Sequence, residues 1–407
     1  MSNLFRTHQL GEVAEIIAGG DKPKVFSLEK KASVCVPVLA NAEKNNGLMG
    51  YTDNARIFEP AVTVAARGSN VGFVAVRKEP FFPVVRLLSL IPKKDCLDVD
   101  YLFYNLKQNR KTGTGSGQPQ ITIPDISSKT IALPPISIQK KIAEVLSILD
   151  KKIELNNRIN AELESIAKTL YDYWFVQFDF PDDSPQGQGK PYKTAGGEMV
   201  YNPTLKREIP EGWEAGTLED LGQIVGGSTP STLNPENFTT KGTPWITPND
   251  LSNNQGNKFV SRGGQDVSTA GIKSASLKEY PAGTVLLSSR APIGYMAIAR
   301  NNLTTNQGFK SFIPSKGYSS EFIYYTVKNS LKAITQYASG STFKEVSGAT
   351  LKTVKVVLPK MAVSDAFRNR IQPIFSKQDV IERESAQLAQ LRDWLLPILM
   401  NGQVTVK

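Results

Sequence analysis

The sequence of 407 residues lacks several features that would indicate a secreted protein, a membrane protein or a zinc protein. It contains one histidine, His8, and two cysteines, Cys35 and Cys96, which form no Cys-x-x-Cys pair. A disulfide framework and a zinc site are therefore unsupported. No apolar run approaches the roughly 20 residues of a membrane-spanning helix, and the first residues lack the apolar core of a signal peptide. We therefore expect a cytoplasmic protein.

Motifs of nucleotide-dependent and DNA-modifying enzymes are also missing from the sequence. There is no G-x-x-x-x-G-K-[S/T] phosphate loop, because the glycine-rich residues 113–118 lack the Lys-Ser/Thr pair. The amino-methyltransferase motif Asn/Asp-Pro-Pro-Tyr/Phe is absent, and no acidic-x-Lys pair follows Asp182 and Asp183. We therefore predict a binding protein that is not an enzyme by itself and binds no cofactor or metal of its own.

What the sequence does have is length and positive charge. A chain of 407 residues suits two or three domains. Its 48 basic and 38 acidic residues give a net charge of +10. This excess favours a polyanionic partner such as nucleic acid, with a merely basic surface as the alternative.

Two long helices are predicted, at residues 138–175 and 361–400. The first contains no proline or glycine, and its apolar residues follow a heptad spacing, which indicates a coiled coil or a helix buried along one stripe. The same seam recurs 225 residues later, so the second helix can be the partner of the first. Pro373 is expected to kink or break the second helix, and Pro397 to end it. The seam of the first helix consists of Ile142, Leu149, Asn156, Leu163 and Leu170.

The helices belong to a larger internal repeat. Residues 10–23 resemble residues 218–230, and the strand–loop–strand pattern of residues 64–76 recurs at residues 286–298. We therefore predict a mixed α and β (α+β) fold. Two repeated strand-rich domains are separated by two long antiparallel helices that form a coiled coil, with approximate two-fold symmetry.

The repeat divides the chain into five predicted segments. The stretch between the two copies is rich in Asp, Pro, Gly and Gln in its first half, which predicts an exposed linker. The segments are a first domain at residues 1–137, a central helix at 138–177, the linker at 178–213, a second domain at 214–361 and a C-terminal helix at 362–407.

Polar loop residues recur at equivalent places in the two copies. Arginine can fork onto guanine or phosphate, while the amides of asparagine and glutamine suit the edge of adenine. This recurrence predicts DNA contact. The candidate DNA-binding residues are Lys22, Lys24, Arg67, Ser69, Asn70, Gln118 and Gln120 in the first copy, and Ser228, Thr229, Ser289, Arg290, Asn306, Gln307, Thr342 and Lys344 in the second.

The end of the first long helix is unusually aromatic. Its rings either pack the helix end against a domain or form a docking surface for another subunit. The candidate docking residues are Tyr171, Tyr173, Trp174 and Phe175.

The order of domain, helix, linker, domain and helix resembles the specificity subunit of type I restriction-modification enzymes. The resemblance covers essentially the whole chain and is most specific in the helix and the linker. Residues 19–23 depart from the Gly-Gly-Thr-Pro-type turn of that family. The stretches that carry the resemblance are residues 133–181, 196–213, 226–231, 244–251 and 339–347.

The resemblance implies a subunit that recognises a bipartite sequence in double-stranded DNA, with one target recognition domain for each half. Two methyltransferase subunits and two restriction subunits are the expected partners. S-adenosylmethionine, ATP and Mg are expected on those partners and not on this chain. From the residues alone, two other functions remain open: a basic coiled-coil scaffold without sequence reading, and a self-sufficient DNA-modifying enzyme.

Overall fold

The computed structural model describes residues 5–109, 120–184, 187–290, 292–337, 345–404 and 406. These residues form two compact units. Unit 1 comprises Met1–Glu154 and Ala386–Lys407, and unit 2 comprises Leu155–Ser385. Within the described ranges, no helix is both long enough and apolar enough to cross a membrane.

Unit 1 is built mainly from short strands. Its elements are β1 (Arg6–Gln9), α1 (Leu10–Val13), β2 (Ala14–Ala18), β3 (Val36–Leu39), β4 (Leu48–Thr52), β5 (Ala61–Val64), β6 (Val74–Arg77), β7 (Phe82–Pro83), β8 (Leu88–Pro92), α2 (Val99–Gln108), α3 (Ile123–Ser127) and β9 (Thr130–Leu133). One sheet has the strand order β2-β8-β5-β6 and another the order β4-β3-β7, while β1 pairs with β9.

Helix α2 covers the four-stranded sheet of unit 1. Asp98 caps its N-terminus, since the carboxylate accepts hydrogen bonds from the backbone N–H groups of Asp100 and Tyr101. The helix buries Tyr101 and Leu102 in the same core as the strand residues Val62 and Leu90. This places the core of unit 1 between α2 and the sheet.

The first long helix, α4, spans Ile136–Tyr171 and continues as a π-helical turn at Asp172–Val176. This agrees with the helix predicted at residues 138–175. Its sequence contains no helix breaker, so the hydrogen-bond ladder is uninterrupted over ten turns. The prediction of a first long helix is confirmed.

Unit 2 contains the second set of strands. Its elements between the long helices are β10 (Pro181–Asp182), β11 (Lys190–Pro191), β12 (Met199–Asn202), β13 (Arg207–Pro210), β14 (Glu214–Thr217), β15 (Gly222–Gly226), β16 (Phe238–Thr239), β17 (Thr243–Ile246), α5 (Pro248–Asn253), β18 (Phe259–Val260), β19 (Gln265–Val267), α6 (Thr269–Ser274), β20 (Val285–Leu287), β21 (Met296–Ala299), β22 (Thr304–Thr305), β23 (Lys310–Pro314), α7 (Ser320–Gln336), α8 (Gly348–Thr353) and β24 (Lys355–Leu358). The main sheets have the orders β15-β23-β20-β21-β18 and β16-β19-β17-β22.

The second long helix, α9, spans Met361–Met400 without a break. Of the kink or break expected at Pro373, the break does not occur, and the expectation that Pro397 would end the helix is wrong because the helix continues to Met400. An internal proline costs about 3 kcal/mol, because it removes one backbone hydrogen bond and crowds the preceding turn. Beside Pro373, Ile371 and Phe375 are buried in the core of unit 2. Each such side chain stabilises by about 1.5–3 kcal/mol, which offsets the cost of the proline.

The two long helices pair antiparallel in each unit. In unit 2, Asn156 Nδ2 donates to Glu384 Oε2 at 2.8 Å, and Gln378 Nε2 donates to the Asn160 carbonyl at 3.3 Å. The residue numbers of the partners on α9 therefore fall as the residue numbers on α4 rise, so the two helices run antiparallel. In unit 1, Arg392 Nη1 donates to Asp150 Oδ1 at 2.6 Å. The predicted α+β fold with antiparallel helices is confirmed, and Asn156 is a buried polar residue of the kind that fixes register.

The stretch predicted as an exposed linker, residues 178–213, is mostly exposed between residues 183 and 208 and is buried near both ends. Its aromatic residues Phe178 and Phe180 are buried in the core of unit 2, where Phe180 stacks on Trp213 at 5.1 Å between ring centroids. The strands between them form the hairpins β10–β11 and β12–β13. Burial is therefore found mainly at the large rings near the two ends, while most of the polar residues between them are exposed.

Candidate nucleic-acid interface

One edge of the large sheet in unit 2 gathers four loops. Strand β23 runs antiparallel to both of its neighbours, so its start lies beside the ends of β15 and β20. Backbone hydrogen bonds fasten the loops: Ser228 N–H donates to the Thr305 carbonyl at 3.0 Å, and Val346 N–H to the Ser289 carbonyl at 2.9 Å. We call residues 226–229, 288–290, 305–308 and 345–348, together with Lys310, the unit 2 loop cluster.

Glycine is required where two of these loops cross. A Cβ atom on Gly227 would lie 2.1 Å from the Asn306 carbonyl oxygen and 2.3 Å from that of Thr305. Gly19, in the matching Gly-Gly pair of unit 1, would bring a Cβ atom within 2.8 Å of the Pro83 carbonyl carbon. The repeated Gly-Gly pairs therefore permit close backbone contact between loops.

The polar side chains of the unit 2 loop cluster hold one another. Arg290 Nε donates to Glu345 Oε2 at 3.0 Å, and Lys310 Nζ lies 4.0 Å from the same carboxylate. The Thr229 hydroxyl donates to the side-chain oxygen of the exposed Gln307. The structure thus brings together the predicted residues Thr229, Arg290 and Gln307.

The other predicted residues of unit 2 differ in their exposure. Ser228 and Asn306 are half-buried, and Asn306 Oδ1 accepts the Gly308 N–H at 2.9 Å. Ser289 is fully buried, and its hydroxyl donates to the Gly308 carbonyl at 3.2 Å. The prediction that Ser289 contacts DNA is therefore corrected, because its hydroxyl is used inside the protein.

Unit 1 has an equivalent loop cluster at the same edge of its sheet. The ends of β2 and β5 flank the start of β8, because both strands run antiparallel to it. Arg86 N–H donates to the Gly19 carbonyl at 3.1 Å, and Val85 N–H to the Gly20 carbonyl at 2.9 Å. We call residues 19–24, 65–70 and 84–86, together with Asn41, Arg56 and Gln120, the unit 1 loop cluster.

Most of the predicted residues of unit 1 lie on this cluster. Arg67 donates from Nη2 and Nε to Gln120 Oε1 at 2.8 and 3.1 Å. Lys22 is exposed, with Nζ 3.5 Å from the centroid of the Phe26 ring. Lys24 and Ser69 are exposed and Asn70 is half-buried. The predicted residues Gln118, Thr342 and Lys344 lie outside the residues that the structure describes.

Sequence reasoning missed Asn41, Arg56 and Arg86. Asn41 joins two loops, because its amide group donates to the Val85 carbonyl and its Oδ1 accepts the Ala66 N–H. One signal could have found Arg86. The sequence match between residues 89–92 and 311–314 aligns residues 85 and 86 with Gln307 and Gly308 of the second copy.

The aromatic end of α4 belongs to the core of unit 2. Tyr171, Trp174 and Phe175 are buried there, and Phe175 packs on Phe367 at 4.9 Å between ring centroids. These three rings are therefore not a docking surface, and the alternative of internal packing is correct. Only Tyr173, of the four candidates, is exposed.

A buried ionic network ties the sheet of unit 2 to both long helices. Lys258 is only 4% exposed. Its ammonium group lies 2.6 Å from Glu164 Oε2 on α4 and donates to Gln378 Oε1 on α9 at 2.7 Å. Glu382, also on α9, accepts the backbone N–H of Lys258 at 2.7 Å and pairs with Arg300 at 2.6 Å. The network thus fixes the sheet on the helix pair.

Burial and pairing shift the ionisation of this network in different directions. Desolvation lowers the pKa of Lys258 to about 8, although Glu164 favours its charged form. Burial also opposes the charge of Glu164, yet Lys258 and Lys328 together hold the pKa of this carboxyl below its usual value. For Glu382 burial dominates and raises the pKa. Burial therefore opposes the charged form of each of these groups, and the groups paired with it favour that form.

The described ranges contain no group of three or more His, Cys, Asp and Glu residues that could hold a metal ion. The features of the site are instead two equivalent loop clusters, one in each unit, with basic, amide and hydroxyl side chains at the edge of a sheet.

Comparison with known proteins defines the family. The sequence pattern of the family described as "Type I restriction modification DNA specificity domain" matches the chain twice, at residues 4–165 and 210–390. The chain therefore belongs to this family, and the predicted resemblance to type I specificity subunits is confirmed.

Individual relatives agree with this assignment. The chain is 41% identical over 209 residues to the type I restriction enzyme MjaIX specificity subunit of Methanocaldococcus jannaschii, a match that covers 50% of this chain and 46% of that relative. It is 30% identical over 331 residues to the type I restriction enzyme HindI specificity subunit of Haemophilus influenzae, covering 70% and 71% of the two chains. The chain thus spans less than half of the first relative and about seven-tenths of the second.

A solved structure shares the fold. The crystal structure of the type I restriction-modification system S subunit from M. genitalium superposes with a TM-score of 0.63 and 16% identity, covering 98% of this chain and 97% of the other. At this identity the likeness concerns the fold.

Proposed function

We propose that the chain recognises a bipartite sequence in double-stranded DNA, with the domains at residues 1–137 and 214–361 each contacting one half. One observation carries the proposal: each unit has a polar loop cluster at the same edge of equivalent sheets. Side chains that contact phosphate position a protein on DNA, while arginine and amide groups can distinguish bases. Two such clusters in one chain suit two half-sites.

We also propose that the chain has no catalytic role of its own. Two methyltransferase subunits would supply S-adenosylmethionine, and two restriction subunits would use ATP and Mg. This chain would bring these partners to their DNA target in the cytoplasm. Family membership and the absence of enzyme motifs from the sequence support this division of labour.

The proposed function predicts a selected sequence with two specified segments and an unspecified spacer. The purified full chain, with the methyltransferase subunits that purify with it, is incubated with random duplexes, and the bound DNA is sequenced. Binding should also weaken steeply with salt, because each neutralised phosphate contributes about −0.9 to the slope of log affinity against log salt.

Lysine variants of unit 1 sharpen this test. Replacing Lys22 and Lys24 with glutamine should make that slope less negative by up to about 1.8. The matched control replaces the exposed Lys30 and Lys31, which lie outside the cluster, and should leave the slope unchanged. A slope near zero for the unaltered chain would instead support a scaffold, and methylation by the chain without partners would support a self-sufficient enzyme.

We further propose that methyltransferase subunits dock on apolar residues of the long helices. In unit 1, Trp394 is 64% exposed, and Leu391 and Ile148 are also exposed. A Trp394→Asp variant should bind the methyltransferase subunit at least tenfold more weakly, since exposed tryptophans are frequent centres of binding energy. Its melting temperature should change little.

Co-purification and sedimentation measure this docking. Leu233→Asp is the matched control, because Leu233 is 89% exposed in unit 2 but lies outside the long helices. If both variants bind the partner as well as the unaltered chain, Trp394 is not part of the docking surface.

A further inference from the structure

The two loop clusters carry different charges. The unit 1 loop cluster has five cationic side chains and one acidic residue, Asp21. The unit 2 loop cluster has two cations, Arg290 and Lys310, and both lie within 4.0 Å of Glu345. The five cations of unit 1 are Lys22, Lys24, Arg56, Arg67 and Arg86.

One pair of equivalent positions contributes to this difference in charge. Arg67 forms an isolated β-bridge with Gln120, and Arg290 forms the same bridge with Glu345. A neutral glutamine leaves the positive charge of Arg67 in place, whereas Glu345 offsets that of Arg290. Among the residues that the structure describes, the unit 1 loop cluster is therefore net positive and the unit 2 loop cluster is close to neutral.

The turn at Val85 and Arg86 is held in a fixed, costly conformation. Both residues have positive φ angles, of 54° and 59°, and a β-branched residue such as valine is rarely found there. Hydrogen bonds from both backbone N–H groups to Gly19 and Gly20, and from Asn41 to the Val85 carbonyl, hold the turn. Such strain persists where the surrounding structure over-determines it, and it concentrates at functional sites.

This turn displays its side chains outward. Val85 is 57% exposed, and Arg86 is also exposed. The Arg86 guanidinium has no ion pair or side-chain hydrogen bond to any residue that the structure describes. Arg56 lies beside Gly20, whose carbonyl accepts the Val85 N–H, because a Cβ atom on Gly20 would be 3.1 Å from Arg56 Nη1. An unpaired guanidinium on a rigid turn is suited to bidentate contact with the O6 and N7 atoms of guanine.

The equivalent turn of unit 2 offers an amide. Strand β22 pairs in parallel with β17, as β7 does with β3, which aligns Gln307 with Val85 and Gly308 with Arg86. Gln307 is exposed. Its side-chain oxygen accepts one bond from Thr229 and has a second lone pair for the amino group of adenine.

From this comparison we propose that Arg86 reads a guanine in the half-site of unit 1, and that Gln307 reads an adenine in the half-site of unit 2. The inference rests on the proposed function, since it assigns bases within the bipartite target. Arg56, Lys22 and Lys24 contact the phosphates beside the guanine.

The test compares the sequences selected by the full chain, in complex with its methyltransferase subunits, and by single variants. Arg86→Lys keeps the charge and removes the bidentate fork. It should reduce discrimination at one guanine of one half-site by about tenfold to a hundredfold, with the salt slope unchanged. Gln307→Ala should relax one adenine in the other half-site by a similar factor. The control Arg6→Lys, on β1 outside the cluster, should leave every position unchanged.

The base assignments and the proposed function can fail in distinguishable ways. If the unaltered complex selects no bipartite sequence, the proposed function fails, and this inference fails with it. If it does select one, but Arg86→Lys relaxes no guanine, or relaxes both half-sites, this inference alone is wrong. Arg86→Ala checks folding: a melting temperature equal to that of the unaltered chain, with loss at the same guanine, supports direct reading.

Discussion

Replacing Glu382 with alanine should lower the free energy of unfolding of unit 2 by about 3–5 kcal/mol. The carboxylate is 6% exposed and accepts the backbone N–H groups of Lys258 and Phe259. It also pairs with Arg300, which lies on the sheet side of the network. Its removal would leave two backbone donors unsatisfied and weaken the pairing of a buried guanidinium, and each such loss costs more than an exposed ion pair would.

Asp365 provides the matched control, because it lies on the same helix and is exposed. Asp365→Ala should change stability by no more than about 0.5 kcal/mol. Urea unfolding followed by hydrogen exchange resolves which unit loses protection, and the loss should fall on unit 2. A Glu382→Ala effect as small as that of the control would show that the buried network does not hold the sheet on the helices.

The sequence was most informative where structure is set by local periodicity. The heptad seam from Ile142 onward predicted α4, and the recurrence of that seam predicted its antiparallel partner. Asn156 was identified as a polar seam residue, and its bond to Glu384 fits a role in register. The repeat also matched the two Gly-Gly pairs, although the close backbone contact at each pair is seen only in the structure.

The errors arose where tertiary packing overrides local signals. Pro373 is a strong local breaker, but burial of Ile371 and Phe375 holds the helix together. The composition of residues 178–213 indicated exposure, which agrees with most of residues 183–208, but it did not show the packing of Phe178 and Phe180. In these cases the decisive core contacts join residues that are distant in the sequence.

The candidate site was predictable by type of residue more than by position. Arg67 was identified from the strand–loop–strand repeat, and its partner Gln120 from the glycine loop, yet their contact appears only in the structure. Ser289 looked like a loop residue but points inward. Arg86 was missed because its turn has no glycine to mark it, and Lys258 because a lysine alone gives no sign of burial.

If each domain reads its half-site independently, exchanging one domain should have a large effect on one half-site only. Residues 1–135 precede α4, and their counterpart can be taken from a family member with a known, different target. Because each loop cluster is built from one unit, the exchange should replace the whole specificity of one half-site. Preference for each original base pair should fall by about 1–3 kcal/mol, so that the half-site as a whole changes. The reciprocal exchange of residues 214–360, up to the start of α9, should change the other half.

The most direct measurement is therefore the sequence selected from random duplexes by the unaltered chain and by the two exchange variants, each in complex with the same methyltransferase subunits. Each exchange should alter one half-site, a different one in each variant, while the second half-site and the spacer length stay the same. An exchange that alters both half-sites, or neither, would show that the two units do not each read one half of the target independently.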